Sequence, residues 1–347
     1  MPTTYAIPDG RTVMAATLYT GNGSTQTVNN SAGFYPDFNW IKARSNTGSH
    51  VLVNSVVGGT KQLFSNLTDA EQTNTNITNG ISSSGIALGN NSAGTGSTNQ
   101  SAYTYVLWQW LAGGGTAVTN TAGSITSSVS ANTTAGFSVV TYTGNEVAGA
   151  TVGHGLGVAP SMIIVKRRDG TAVDWAVYHA SIGATKYLTL NTTAAEGTSS
   201  GYWNDTAPTS SVFSLYNSGA TNANPRLFVA YCFAPVAGYS AFGSYTGNGS
   251  ADGPFVYLGF RPKFVMVKRT DATGSWTLLD TSRSLYNVTD DVLRPNTSDA
   301  EFAGNTTLDV LSNGFKIRST WSDVNTSSAT YIYMAFAENP TKFANAR

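Results

Sequence analysis

One nine-residue pattern occurs three times in this chain, at residues 63–71, 188–196 and 293–301. The copies read Leu-Phe-Ser-Asn-Leu-Thr-Asp-Ala-Glu, Leu-Thr-Leu-Asn-Thr-Thr-Ala-Ala-Glu and Leu-Arg-Pro-Asn-Thr-Ser-Asp-Ala-Glu. Each holds an Asn (Asn66, Asn191, Asn296) and a Thr or Ser two positions on (Thr68, Thr193, Ser298). Each then ends in Ala-Glu (Glu71, Glu196, Glu301). A hydroxyl followed three residues later by Glu is a capping box. The hydroxyl accepts from an amide of a helical turn, and the Glu reaches back to the capping residue's own amide. The pattern therefore predicts a short helical turn in each copy. Self-similarity of this kind restricts the chain to one structural unit used three times.

Other motifs recur in the same order. Tyr-Thr-Gly-Asn stands at 19–22, 142–145 and 245–248. A Gly-x-x-Pro element ends at Pro36, Pro160 and Pro262, which lie 14, 15 and 14 residues after Asn22, Asn145 and Asn248. An apolar run ending at Lys42, Lys166 or Lys268 follows at once, and then the stretches 50–54, 175–179 and 276–280. Beyond the nine-residue pattern come short runs at 85–88, 212–215 and 314–317, and aromatic closing runs at 103–110, 227–233 and 331–336.

These segments are short, β-branched and aromatic, and are bounded by Gly, Asn, Ser and Pro, which is the strand signal. The run before each Lys is apolar throughout, as in a central strand covered on both faces. No long stretch keeps a helical period. The expected fold is all-β: three tandem homologous antiparallel β-sandwich units, jelly-roll or lectin-like, each with a short helical turn. The expected boundaries are 1–113 for the first unit, 137–238 for the second and 239–347 for the third. Residues 114–136, rich in Gly, Ser and Thr, read as a flexible or surface-laid linker.

Charge narrows the function classes. The 19 basic residues balance 19 acidic ones, so no long-range field steers the chain to nucleic acid or to an anionic membrane. The single Cys232 excludes an intramolecular disulfide. The N-terminus shows no basic stretch followed by an apolar core, so no signal peptide is expected. No apolar run approaches the ~20 residues of a membrane span.

His50, His154 and His179 form no His-x-x-x-His or Cys-His pair, so no zinc ligand set is expected. A glycoside hydrolase needs paired carboxylates. The shared ones, Glu71, Glu196 and Glu301, have no recurring partner, since Asp69 and Asp299 correspond to Ala194. No catalytic residue and no enzyme activity are expected. Asn66, Asn191 and Asn296 match the glycosylation acceptor pattern but read better as turn formers. Lys42, Lys166 and Lys268, with Arg44, Arg167, Arg168 and Arg269, read as solvated strand ends or inter-unit ion pairs. Asp169-Gly170 and the turn at 271–274 are oxygen-bearing turns short of a complete ligand loop, so calcium is the one cofactor left open. Tyr103, Tyr105, Trp108 and Trp110 read as core. Trp203 and Tyr202, in a Gly-rich loop, are the candidate glycan-binding residues.

The joint pattern, together with Tyr-Met-Ala-Phe-Ala-Glu-Asn-Pro at 333–340, resembles a family of repeat domains in structural proteins of tailed bacteriophages, marine and cyanobacterial phages especially. The resemblance runs from about Thr17 to Pro340. It implies a virion structural protein on the particle surface, with no catalytic residues to carry over. The role expected first is a tail-fibre or receptor-binding module that touches host surface glycans. A capsid decoration protein is the alternative, and a carbohydrate-binding or carbohydrate-cleaving protein is the alternative of another class. The expected partners are other virion proteins, further copies of the chain in a trimer, and a host surface glycan. Nucleic acid and membrane insertion are not expected.

Overall fold

The structure, a computed structural model, describes residues 5–91, 97–304 and 307–340, with the side chains of 339 and 340 left aside. Apart from short turns it is built of antiparallel strands.

The first segment contributes β1 (Met14–Thr20), β2 (Gln26–Asn29), β3 (Phe38–Ala43), β4 (Val51–Asn54) and β5 (Lys61–Phe64). It continues with β6 (Gln72–Thr73), β7 (Thr78–Ser82), β8 (Gly85–Leu88) and β9 (Thr104–Trp110). Next come β10 (Val118–Asn120) and β11 (Ser127–Asn132). The second segment holds β12 (Phe137–Thr143), β13 (Ala150–Gly153), β14 (Met162–Arg167), β15 (Ala176–His179), β16 (Lys186–Thr189) and β17 (Gly197–Thr198). The helical turn α1 (Ser200–Trp203), β18 (Val212–Leu215) and β19 (Leu227–Phe233) complete it. The third segment holds β20 (Ser240–Thr246), β21 (Phe255–Tyr257), β22 (Phe260–Arg269) and β23 (Thr277–Asp280). It ends with β24 (Leu308–Leu311), β25 (Gly314–Ile317), α2 (Ser322–Asn325) and β26 (Thr330–Pro340).

Three large sheets result, ordered β1-β9-β3-β4-β5-β6, β10-β11-β12-β19-β14-β15-β16-β17 and β20-β26-β22-β23. In each, the closing aromatic strand lies between the opening strand and the Lys-ending strand. Each large sheet is backed by a small one: β2-β8-β7, β13-β18 and β21-β25-β24. The Gly of Gly-x-x-Pro turns the chain into the Lys-ending strand. Gly33, Gly157 and Gly259 have φ of 74, 74 and 80°, a region that disfavours any side chain.

The burial of the Lys-ending runs, apolar except for the hydrogen-bonded Asn39, is two-sided. Successive strand residues point to opposite faces. Ile41, Ile163 and Val165 pack on the segment's own small sheet, whereas Trp40, Met162 and Ile164 enter a core shared by all three segments. That shared core joins Trp110 to Phe233 and to Phe264 and Phe336, with ring centroids 6.4, 5.5 and 5.7 Å apart. Phe38 meets Tyr231 at 4.2 Å. Every position of β3 and β14 is buried.

Two expectations are corrected here. None of the helical turns falls in a nine-residue pattern, whose residues form a turn and then run extended. The supposed linker 114–136 is ordered structure: β10 and β11 extend the second large sheet beyond β12. The cause is Asp37, a fully buried carboxylate in the first segment. It accepts from the amides of Ala112, Gly114 and Gly115 at 2.7–2.9 Å and from the hydroxyls of Ser55 and Ser130 at 2.6 and 3.1 Å. A buried carboxylate needs such donors, and these fix the Gly-rich stretch and β11 to the first segment.

Candidate functional site

The shared polar residues converge on three seams, which run from the first segment to the second, the second to the third and the third to the first. The motif Asn stays within its own segment. Asn66, Asn191 and Asn296 accept from the amides of His50, Trp175 and Trp276 at 3.1, 2.9 and 2.9 Å. They therefore bridge two parts of one fold, as the turn reading expects.

The same His and Trp side chains cross the seam. Trp175 Nε1 donates to the Phe64 carbonyl at 2.9 Å, and Trp276 Nε1 to that of Thr189 at 2.9 Å. His50 Nε2 lies 3.0 Å from the Arg294 carbonyl. Each acceptor stands two residues before the motif Asn of the neighbouring segment. Four positions further on, the carbonyls of Thr68, Thr193 and Ser298 accept from the amides of Val173, Gly274 and Gly48 at 3.1, 2.9 and 2.8 Å.

The strand-end lysines reach the same carbonyls. Lys166 Nζ donates to Thr68 at 2.7 Å, Lys268 to Thr193 at 3.5 Å and Lys42 to Ser298 at 3.4 Å. All three lysines are fully buried. Burial, incompletely offset by nearby carboxylates, lowers each ammonium to about 8. The reading of these lysines as solvated strand ends is thus corrected. Their charge is held by carbonyl oxygens, which accept hydrogen bonds at any pH.

The motif glutamates finish the seam. The amides of Glu71, Glu196 and Glu301 donate to the carbonyls of Arg168, Thr270 and Arg44, each at 2.8 Å. The Glu71 carboxylate pairs with Arg168 at 2.7 Å and that of Glu301 with Arg44 at 2.6 Å. Thr270 takes the arginine's place in the remaining seam, where Glu196 pairs with Lys186 of its own segment. These contacts explain why the capping boxes do not form. The glutamate amide and the Thr or Ser carbonyl are hydrogen-bonded to another segment, which requires an extended chain.

The histidines share one tautomer. Nδ1 of His50, His154 and His179 accepts from Trp40 Nε1 and the amides of Leu156 and Ser181 at 2.9, 3.2 and 3.2 Å. Nε2 then carries the proton and faces the carbonyls of Arg294, Thr209 and Tyr333. Burial lowers all three, His179 to about 4.

Trp203 does not present its ring to solvent. The turn α1 tucks it, 2% exposed, against Tyr178 in the second segment's private core. Tyr202 beside it stacks on Tyr187 at 3.8 Å. Trp203 is thereby corrected as a glycan-binding candidate, whereas Tyr202 stays half-buried at the surface of that core. Asp169 accepts from the Leu227 amide, and Asp271 pairs with Arg269 at 3.0 Å. Among the described residues no group of three His, Cys, Asp or Glu could hold a metal ion. A packing gap between Met162, His179, Met266 and Trp276 has no room for a water molecule.

Several features escaped the sequence reading. Asp280 and Arg283 form a fully buried pair at 2.6 Å, and Trp108 Nε1 donates to Asp280 at 3.0 Å across the seam. The Tyr of Tyr-Thr-Gly-Asn donates its hydroxyl to Thr98, Thr221 or Val324 at 2.6–2.7 Å. The Asn amide of that motif donates to buried Asn99, Asn222 or Asn325 at 2.9–3.0 Å. Phe255, Tyr257, Leu285 and Tyr286 are exposed on the third segment. The alternation of Phe255 and Tyr257 about buried Val256 was the available signal for that face.

The chain belongs to the family described as a domain of unknown function (DUF7483), whose pattern matches residues 9–340. No curated protein and no solved structure matches it.

Proposed function

We propose that this chain is a non-enzymatic structural component of a tailed-phage virion, placed on the particle surface as a tail-fibre or receptor-binding module for host attachment. The observation that carries the reading is the closed cycle of seams. The recurring polar residues hold three sheet systems into one body, and the recurring carboxylates are engaged in ion pairs. Paired carboxylates free to act as acid and base, as glycoside cleavage requires, do not recur among them. The resemblance of the repeated motifs to phage structural proteins supplies the setting.

The cyclic arrangement also favours a second reading, capsid decoration, because a body with three similar faces suits a threefold position on a particle. In either role its partners are other virion proteins. Copies of the chain would meet through outward faces, since the seams are closed within one chain. A trimer of the 36.4 kDa chain is the assembly proposed, and mass measurement in solution tests it. Protein mass spectrometry of purified particles from a phage encoding the chain tests the central reading. The chain is expected among the particle proteins, and its absence from them overturns the proposal.

A further inference from the structure

The small sheets of the three segments differ in one respect. Their first strands, β2, β13 and β21, bury Val28, Val152 and Val256. On the same register Thr27 and Asn29 of β2 and Phe255 and Tyr257 of β21 face outward, whereas in β13 Thr151 is half-buried and Gly153 lies buried beneath Asn120. Two sheets thus carry small or polar residues where the third carries two large rings. Phe255 is 45% exposed and Tyr257 67%. The scaffold does not need rings here, since β2, the counterpart whose outward residues are likewise exposed, folds without them. β21 lies at the free edge of its sheet, so the rings are open to a ligand.

The charges around the rings select the ligand. Lys316, opposite Phe255, pairs with Asp252 at 2.8 Å, and Arg318 pairs with Asp309 at 2.6 Å. Two cations and two carboxylates leave the face neutral while presenting both donors and acceptors. A nucleic acid would also stack on aromatic rings, but its phosphates require unbalanced positive charge. Two partly exposed rings offer on the order of 200 Å² of apolar surface, far below the ~800 Å² per partner of a stable protein interface. A pyranose chain meets these conditions, with apolar ring faces for the aromatics and hydroxyls for the ion pairs. The geometry points to a binding site for a neutral polysaccharide on the third segment, formed by Phe255, Tyr257 and Lys316. It rests on the attachment reading above and names the ligand class for it.

Native gel electrophoresis of the whole chain through gels containing a soluble α-glucan, β-glucan, galactomannan or xyloglucan tests this. Retardation is expected in at least one, weakened about tenfold or more in F255A/Y257A and less than about threefold in Y257F, which keeps the ring. Y257S provides the same reading should the double variant fold poorly. No retardation in any gel, or equal retardation of the wild type, the double variant and Y257S, overturns the site. Sedimentation that shows self-association lost in Y257S assigns the face to copies of the chain and also overturns it. A chain found on particles but indifferent to every polysaccharide refutes this site alone. A chain absent from particles refutes the attachment reading alone.

Discussion

Arg44 and Glu301 stand 257 positions apart in the chain, and Nη2 of the arginine lies 2.6 Å from Oε1 of the glutamate. The arginine's Nε bonds the same carboxylate at 2.9 Å. The pair joins the first segment to the third and so closes the cycle begun by Arg168 and Glu71. Glu301 also accepts from fully buried Arg283 at 2.9 Å.

The seams are therefore unequal, and substitutions should show it. Removing one partner of a buried pair costs ~3–5 kcal/mol. Arg283 keeps Asp280, so Glu301→Gln is expected to lose about 2–3 kcal/mol. Glu196→Gln breaks a pair with half-exposed Lys186 and is expected to lose less than about 1 kcal/mol. Urea denaturation of the two variants decides, and equal losses would contradict the ranking.

Asp37→Ala removes the acceptor for three amides and two hydroxyls. Each orphaned buried donor costs about 1–3 kcal/mol when water cannot replace the partner, so a loss of several kcal/mol is expected. Amide exchange at Gly114 and Gly115 should accelerate in the same variant. Unchanged protection there would show that the connector is held by something else.

Acid should destabilise the chain before its carboxylates titrate. A folded histidine value below the unfolded 6.5 means that the unfolded chain binds more protons in between, so stability falls as pH falls. For His179 the window runs from 6.5 down to about 4, worth up to about 3 kcal/mol. Denaturation midpoints should drop across this range and drop less in His179→Gln. A midpoint that holds steady between these values would contradict the neutral tautomer assignment.

The buried lysines act in the alkaline range with a slope of the same sign. Their folded value of about 8 lies below the ordinary 10.5, so the unfolded chain again holds more protons in that window and stability rises with pH. The rise ends where unfolded tyrosines ionise, because burial keeps Tyr19, Tyr142 and Tyr245 well above 10. Midpoints are expected to increase from about pH 7.5 to about 9.5. A steady decline over that interval would show that the amines are solvated.

Strands were legible because each carries its own signal. Met162-Ile163-Ile164-Val165 states two-sided burial in four residues. The seam was not legible, because Thr68 and Glu71 satisfy a local rule equally well. Only the neighbouring segment, about a hundred residues on, decides which partner each takes. The Gly-rich connector looked flexible because its anchor, Asp37, lies some 75 residues before it. Trp203 looked exposed for a related reason: a Gly-rich loop does not reveal that its helical turn folds inward onto Tyr178.

The proposed function places this body on the outside of a phage particle. Immunogold electron microscopy of intact particles, with antibody raised against the purified chain, tests it most directly. Gold on the tail exterior is predicted, with gold on the head marking the decoration role. Particles that stay unlabelled by an antibody that binds the purified chain would contradict it.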